Sequence, residues 1–398
     1  MSATEIDQRR VSPFPLFASG FRCFFLGAAL LAFAMVVIWF LFYSGQAVVR
    51  FYYFPPVIWH QHEMVFGYSG AVIAGFLLTA VSNWTGQPTL QGWPLSGLFC
   101  LWLAAHILPF FAVSPGELIA VLNIAFFLAL AVSIAKPLIL AGNTRNLFVV
   151  IIVALLALCN ILVHAQLLGV IDTGAHLGIR IAFYVQLLLI IVFAGRVFPM
   201  FSSRGVAKPY KPLSNRSLEL VAVISFICFA ASNLLPVPAW LQALVVIATV
   251  IIHSLRVAGW FNLQIFAVPL VWVLHVGYYF LILGMLLTGI ADFFPQTRVP
   301  GLHALLIGGL GLITIGMMAR VSLGHTGRNI KQPPHGLNAI FIAIALAAII
   351  RVGLPLANAQ YYLAAIKLSG WMWSVAFLAF TLIYLTYWLT PRVDGKPG

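Results

Sequence analysis

Residues 59–86 read WHQHEMVFGYSGAVIAGFLLTAVSNWTG, and this stretch decides the fold class and directs the search for function. It begins with two histidines and a glutamate, His60, His62 and Glu63, and continues as a run apolar enough to cross a bilayer. Polar groups in such a run are costly unless they have partners, so they are often functional. Neutral imidazole is also the commonest metal ligand. The stretch therefore predicts a transmembrane helix that begins with candidate ligands.

The helical positions of these residues bear on how they could act together. On a regular helix His60 and His62 point about 200° apart, so they would face different neighbours and would not easily share one ion. The same spacing places Glu63 and Gly67 on the face of His60, and Phe66 on the face of His62. The alternative interpretation is that each imidazole forms a hydrogen bond to an adjacent helix.

Composition extends the membrane assignment to the whole chain. The 398 residues are 63% hydrophobic and only 7% charged, whereas soluble domains carry about a quarter charged residues. The net charge of +13 would suggest nucleic acid in a soluble protein. Here the basic residues lie in short loops between apolar runs, so we expect a lipid bilayer and no nucleic acid as the partner. The four cysteines are isolated, which leaves zinc-ribbon, iron–sulfur and covalent c-type haem sites without support.

Spans of about 20 apolar residues recur along the chain and predict an all-α polytopic membrane protein. Twelve are expected, at Phe21–Phe42, His60–Val81, Pro94–Val113, Glu117–Ile139, Leu147–Gly169, His176–Val197, Leu218–Leu235, Pro238–Leu255, Leu263–Leu287, Gly301–Arg320, Gly336–Leu354 and Leu363–Leu389.

The distribution of positive charge predicts the orientation. The loops on one side contain five of the 21 lysines and arginines, and the segments on the other side contain the rest. Since positive residues favour the cytoplasm, both termini are expected inside. We predict a cytoplasmic N-terminal segment at residues 1–20, one transmembrane domain at 21–390 and a cytoplasmic tail at 391–398. The five outer residues are Arg50, Arg180, Arg298, Arg351 and Lys367.

This topology turns a scatter of histidines into a pattern. Seven of the ten histidines fall in the outer half of the membrane or, for His275, near its centre. Separate imidazoles would each need a polar partner there, whereas a shared cofactor satisfies several at once. Non-covalent haem with axial histidines, together with copper on others, fits this inventory. The expected metal ligands are His60, His62, His164, His275 and His303; His106 and His176 are weaker candidates.

Other polar residues in or near the spans suggest acid–base roles. Glu63 is interpreted as a proton donor or as a partner that holds a histidine, or alternatively as an ion-pair partner of Arg50 or Arg180. Tyr278 and Tyr279 follow His275 by three and four residues and are candidate proton donors as well.

The stretch MMARVSLGHTGRNIK, residues 317–331, is a candidate anion-binding segment. Its candidate cofactor-binding residues are Arg320, His325 and Arg328, because arginines and glycine-rich backbone can hold a carboxylate or phosphate. An ordinary turn with cytoplasmic positive charge explains the same residues, and the chemistry alone favours the turn.

Four motifs in order, WHQHEMVFG, GFLLTAVSNWTG, PLVWVLHVGYY and RVSLGHTGR, resemble the NnrS family. The resemblance implies a bacterial inner-membrane protein of twelve spans that contains haem and copper and acts in nitric oxide metabolism or nitrosative stress. A weaker architectural likeness to haem–copper oxidase catalytic subunits fails at the seventh span, which lacks their histidine pair. The matching positions are His60, His62, Glu63, Asn83, Trp84, His275, Arg320, Ser322, His325 and Arg328.

These observations favour a redox protein that handles nitric oxide, with an electron donor that the sequence does not identify. Glu63, Tyr278 or Tyr279 would supply protons. No sequence feature establishes turnover, so an oxidoreductase remains one interpretation. The alternatives are a secondary transporter, whose buried polar residues would line a substrate path, and a haem-binding sensor without turnover.

Overall fold

The computed structural model describes residues 14–396, and twelve helices in this part of the chain are long and apolar enough to cross a membrane. The predicted all-α fold is confirmed, since no strand occurs among the described residues. The helices are α1 Gly20–Tyr43, α2 Pro56–Thr85, α3 Gly92–Phe110, α4 Gly116–Leu140, α5 Thr144–Leu167, α6 Ala175–Gly205, α7 Arg216–Leu234, α8 Ala239–Trp260, α9 Pro269–Gly289, α10 Pro295–His325, α11 Leu337–Ala357 and α12 Ala359–Leu389.

The ends of the chain bear on the predicted division and orientation. Most of the N-terminal segment predicted at residues 1–20 lies outside the described residues, and the last two residues do as well. The three-part division and the cytoplasmic placement of both termini stay predictions.

Three helices that carry candidate histidines begin away from their predicted starts. Helix α10 begins at Pro295 rather than at Gly301, so His303 lies in its third turn. Helix α2 starts at Pro56, so His60 and His62 lie inside its first two turns rather than at its first residue. Helix α9 starts at Pro269, because Leu263–Ala267 form a separate short 3-10 turn. Proline favours the first position of a helix, where its missing N–H costs nothing. His275 therefore lies in the second turn of α9.

Helices α2 and α10 form the centre of the bundle. In their most apolar segments 83% and 72% of the residues are buried, against 22% in α7. Helix α1 packs against both α2 and α12, and α9 packs closely along α10. This last contact needs a residue without a side chain, since a Cβ at Gly308 would lie 2.3 Å from Cγ of Phe280. The most buried helices are thus the ones that carry His60, His62, Glu63 and His303.

Consecutive helices run in opposite directions, so the bundle has two distinct ends. One end, which we call the histidine end, contains the starts of α2 and α10 and the last turns of α3 and α5, with His60, His303, His106 and His164. The other, which we call the arginine end, contains the start of α5 and the last turns of α6 and α10, with Arg145, Arg196 and Arg320. The sequence predicts that the histidine end faces outward.

Candidate metal centre

Both central helices change their winding directly after their histidines. Residues Glu63–Tyr68 of α2 and Ala304–Gly311 of α10 form π-helical segments. Such segments insert extra residues into a turn, rotate the side chains that follow, and are frequent at functional sites. The Glu63 side chain contacts His62, whereas His60 faces a different cavity, so the expectation that Glu63 shares the face of His60 was wrong. The predicted contact of His62 with Phe66 is present, with ring centroids 5.0 Å apart.

Glu63 joins two buried imidazoles from different helices. Its Oε1 lies 3.2 Å from Nδ1 of His62, and its Oε2 lies 2.9 Å from Nδ1 of His106 on α3. The first pair forms a hydrogen bond, whereas the second is close without hydrogen-bond alignment. All three side chains are buried. Donor atoms from the three residues lie within 4.8 Å of one another, a spacing that one metal ion can bridge.

His164 of α5 adjoins this group. Its ring centroid is 5.4 Å from that of His62, and its Nδ1 forms a 2.8 Å hydrogen bond with the Tyr53 hydroxyl. Its Nε2 is buried without a hydrogen-bond partner. One turn earlier on the same helix, both polar atoms of the Asn160 side chain are also buried and unpartnered. Tyr53 and Asn160 were not predicted, although the four-residue spacing of Asn160 and His164 places them on one helical face.

His60 and His303 line a neighbouring cavity of about 220 Å³ at the histidine end. The His60 ring stacks on Trp39, with centroids 4.3 Å apart and planes 5° apart. His303 contacts its own helix, with Nδ1 2.8 Å from the Val299 carbonyl oxygen. Arg351 lines the same cavity; it is 5% exposed and has an unpartnered Nη1. The two π-helical segments supply much of the apolar wall, through Met64, Val65, Tyr68, Leu306, Ile307 and Leu310.

Unpartnered buried polar atoms are the common feature of this region. Each such atom costs free energy in a nearly waterless interior unless something satisfies it, and imidazole nitrogens with a carboxylate oxygen are the donor set of copper and related metals. The residues therefore fit a bound metal. The atoms at or beside the two sites are Trp59 Nε1, His60 Nδ1, Gln61 Oε1, His62 Nε2, Glu63 Oε2, His106 Nδ1, the Asn160 amide, His164 Nε2 and Arg351 Nη1.

Several predicted site residues lie elsewhere in the bundle. His275 is placed at the arginine end, where its Nε2 lies 3.3 Å from the Ser202 hydroxyl and its Nδ1 lies 3.2 Å from the Val271 carbonyl. It does not join the other histidines. Tyr278 is buried between α8 residues, 2.6 Å from both His253 Nδ1 and Arg256 Nη1. Tyr279 is 38% exposed on the surface of α9.

The candidates Arg320, Arg328, His325 and His176 do not join the candidate metal centre either. Arg320 stacks on Phe201 at 3.7 Å and Arg328 on Tyr387 at 3.9 Å. The segment around His325 forms a turn, because α10 ends at His325 and Gly327 adopts a left-handed φ of 76°. His176 is exposed at the start of α6. Glu63 contacts histidines and not Arg50 or Arg180, so its ion-pair alternative was wrong.

The fold and this constellation define a polytopic helical membrane protein with a candidate metal centre at one end of the bundle. A family model described as NnrS protein matches residues 15–392, nearly the whole chain. The protein belongs to the NnrS family, as the sequence motifs indicated. No curated protein matches it closely enough to add a named relative.

Proposed function

We propose that this NnrS protein holds copper and a b-type haem at the histidine end and handles nitric oxide or protects against nitrosative stress. The family is generally linked to the nitric oxide response, which supports the substrate. The single observation that carries the metal assignment is the Glu63 carboxylate between two buried imidazoles, next to a third imidazole with a free nitrogen. We place the protein in the bacterial inner membrane as a multi-pass protein, on the basis of its spans and family.

Copper is assigned to His62, Glu63 and His106, with His164 as a further ligand or a close neighbour. Imidazole and carboxylate donors from three helices are already near one another, so little reorganisation is needed to bind an ion. Copper bound there would supply one-electron chemistry. Glu63 holds the two imidazoles in register and is the best placed group to accept or release a proton beside them.

Haem is assigned to the adjoining cavity, where His60 and His303 would hold its iron. Arg180 and Arg351 also line this cavity and can pair with carboxylates, while its walls are otherwise largely apolar. Bound haem would supply an iron that takes nitric oxide as a ligand. The stacking of His60 on Trp39 fixes the orientation of that imidazole.

The test separates the two cofactors by spectroscopy on purified protein. Copper content and the EPR spectrum report the first site, and the Soret band reports the second. His62→Ala and His106→Ala should lose copper and keep the Soret band, whereas His60→Ala and His303→Ala should do the reverse. His176→Ala is the matched control, because this histidine is at the same end but exposed. A protein that purifies without copper or haem after expression with both supplied contradicts the proposal.

Whether the protein converts nitric oxide to a product is tested with the same purified protein. Nitric oxide consumption by the reduced protein, compared with boiled protein, indicates an oxidoreductase. Binding without consumption indicates a sensor.

A further inference from the structure

A second large cavity lies at the arginine end, away from the candidate metal centre. A pocket of about 500 Å³, open on one side, lies between the last turns of α2, α6 and α10 and the start of α5. His325, which lines it, is 22 residues after His303 on α10, a separation of about 33 Å along a helix. This cavity is therefore distinct from the histidine end, and the inference below goes beyond the proposed function.

Positive charge lines this cavity without any compensating acid. Arg145 and Arg196 both contribute to its wall, and no aspartate or glutamate does. Within residues 14–396 neither arginine forms an ion pair with a carboxylate. Arg196 is held in place by a 2.8 Å hydrogen bond from Nη1 to Oδ1 of Asn146. Its guanidinium therefore has other N–H groups left for a ligand.

Aromatic and thioether side chains form the rest of the wall. Trp84 and Phe193 stack with centroids 5.8 Å apart and planes 17° apart. Met200 and Met317 line the cavity beside them, and such side chains adapt to an apolar ligand of irregular shape. The cavity thus combines a cationic part with an apolar part, which suits an amphipathic anion.

We propose that this cavity binds a phosphate group carried on an apolar or aromatic body, with Arg145 and Arg196 as its charge partners and His325 as a third donor. Guanidinium groups bind phosphate through charge-assisted hydrogen bonds. Donors on three different helices can meet the several oxygens of a phosphate, whereas a carboxylate offers two. Cytoplasmic positive charge alone accounts for arginines in loops, but it does not require them to line a cavity with aromatic walls.

The phosphate can come from a soluble compound or from a lipid head group, and the experiment has one arm for each. Phenyl phosphate is titrated into the purified full-length protein in an uncharged detergent by calorimetry. In parallel, the protein is placed in nanodiscs of phosphatidylcholine with some phosphatidylglycerol, and retained lipid is measured by native mass spectrometry. Arg145→Gln and Arg196→Gln are compared with Arg204→Gln. Arg204 is an exposed arginine on the same helix as Arg196 and does not line the cavity.

The wild type should bind phenyl phosphate or retain phosphatidylglycerol selectively, and the arm that responds identifies the source. Arg145→Gln and Arg196→Gln should each weaken that binding about tenfold, the effect of losing one charge-assisted hydrogen bond. Arg145 is exposed and can be changed without disturbing the fold, so its variant keeps the test valid if Arg196→Gln unfolds. An equal loss in Arg204→Gln would mean general attraction by surface charge and would overturn the proposal. Binding of neither probe by the wild type would overturn it as well.

Discussion

Glu63 sets the chemistry of the histidine end because its two carboxylate oxygens reach imidazoles on different helices. A buried carboxylate costs several kcal/mol in desolvation unless partners or a metal satisfy it. His62 and His106 are such partners, yet Nε2 of His62 and Nε2 of the neighbouring His164 have no hydrogen bond. This surplus of donor atoms is what a metal ion would use.

The residue-scale prediction is that Glu63→Gln weakens copper binding by at least about 10- to 100-fold, because even a carboxylate that only holds metal-bound histidines has an effect of this size and Glu63 would also be a ligand. Glutamine keeps the shape but removes the charge. Copper content after dialysis against a graded chelator gives the measurement. Glu117→Gln is the control, because Glu117 is an exposed acid at the same end of the bundle. Unchanged copper retention in Glu63→Gln would remove Glu63 from the site.

At the scale of elements, the π-helical segment of α2 brings Gly67 against the metal ligands. A Cβ at Gly67 would lie 2.6 Å from Cδ2 of Leu31 and 3.3 Å from Cε1 of His106. We therefore predict that Gly67→Ala destabilises the protein by about 1–3 kcal/mol through overpacking and lowers its copper content. Thermal unfolding and metal analysis test this.

The control for that prediction is Gly97→Ala in α3, where a Cβ would have no neighbour within 4 Å. Alanine is about 0.5–1 kcal/mol better than glycine inside a helix, so this variant should be slightly more stable. If Gly67→Ala behaved like Gly97→Ala, close packing at the π-helical segment would not constrain the site.

A second element, the C-terminal tail, docks on the turn after α10. The Val393 amide donates to the Thr326 carbonyl oxygen at 3.1 Å, and Arg392 forms a two-point contact with Asp394. Hydrogen bonds from Arg392 lower the pKa of the Asp394 carboxyl from 3.8 to about 2. Because folding lowers this pKa, the Arg392–Asp394 pair stabilises the docked tail fully at pH values above the unfolded pKa. This stabilisation is lost as pH falls from about 4 towards 2.

Hydrogen exchange of the Val393 amide should therefore be slow at neutral pH and lose protection, after correction for intrinsic rates, as pH falls through that window. Asp394→Asn should remove the pH dependence and expose the amide at all pH values. If the Val393 amide were equally protected at about pH 4 and about pH 2, the Arg392–Asp394 pair would not hold the tail.

The sequence predicts the features that depend on one stretch of residues better than those that depend on contacts between helices. Apolar runs are local, so all twelve spans were predicted, although some ends were misplaced, as for α6, which ends at Gly205 and not at Val197. Depth in the membrane follows from the spans, which is why His62 and His164 were correctly placed at one end. His106 was ranked lower, although it lies 2.9 Å from Glu63, because one sequence does not reveal which helices are neighbours. The π-helical segments likewise have no signature in a single sequence.

At the scale of the whole molecule, orientation is still a prediction from the charge distribution. The arginine end should face the cytoplasm together with both termini. A C-terminal green fluorescent protein fusion should therefore fluoresce, and a C-terminal alkaline phosphatase fusion should be inactive. The opposite pair of results would place the histidine end inside and require an intracellular source of copper.

Three cavities follow one another along the bundle and bear on the transporter alternative. Leu310 lines both the histidine-end cavity and a middle cavity of about 80 Å³. Phe76, Phe193, Val197 and Met317 line both that middle cavity and the one at the arginine end. The walls of the middle cavity are almost entirely apolar. A phosphate or other ion would lose its hydration there without a partner, whereas nitric oxide, which is small and uncharged, would not.

We therefore predict that the protein reconstituted in proteoliposomes neither takes up nor exchanges labelled phosphate, even though the arginine end binds a phosphate group. Liposomes without protein give the background rate, and Arg196→Gln liposomes should match the wild type because neither transports. Saturable counterflow in the wild type that Arg196→Gln abolishes would contradict this prediction. It would mean that the middle cavity opens during a cycle, and the arginine-end cavity would then be the entrance of a transport path rather than a separate binding site.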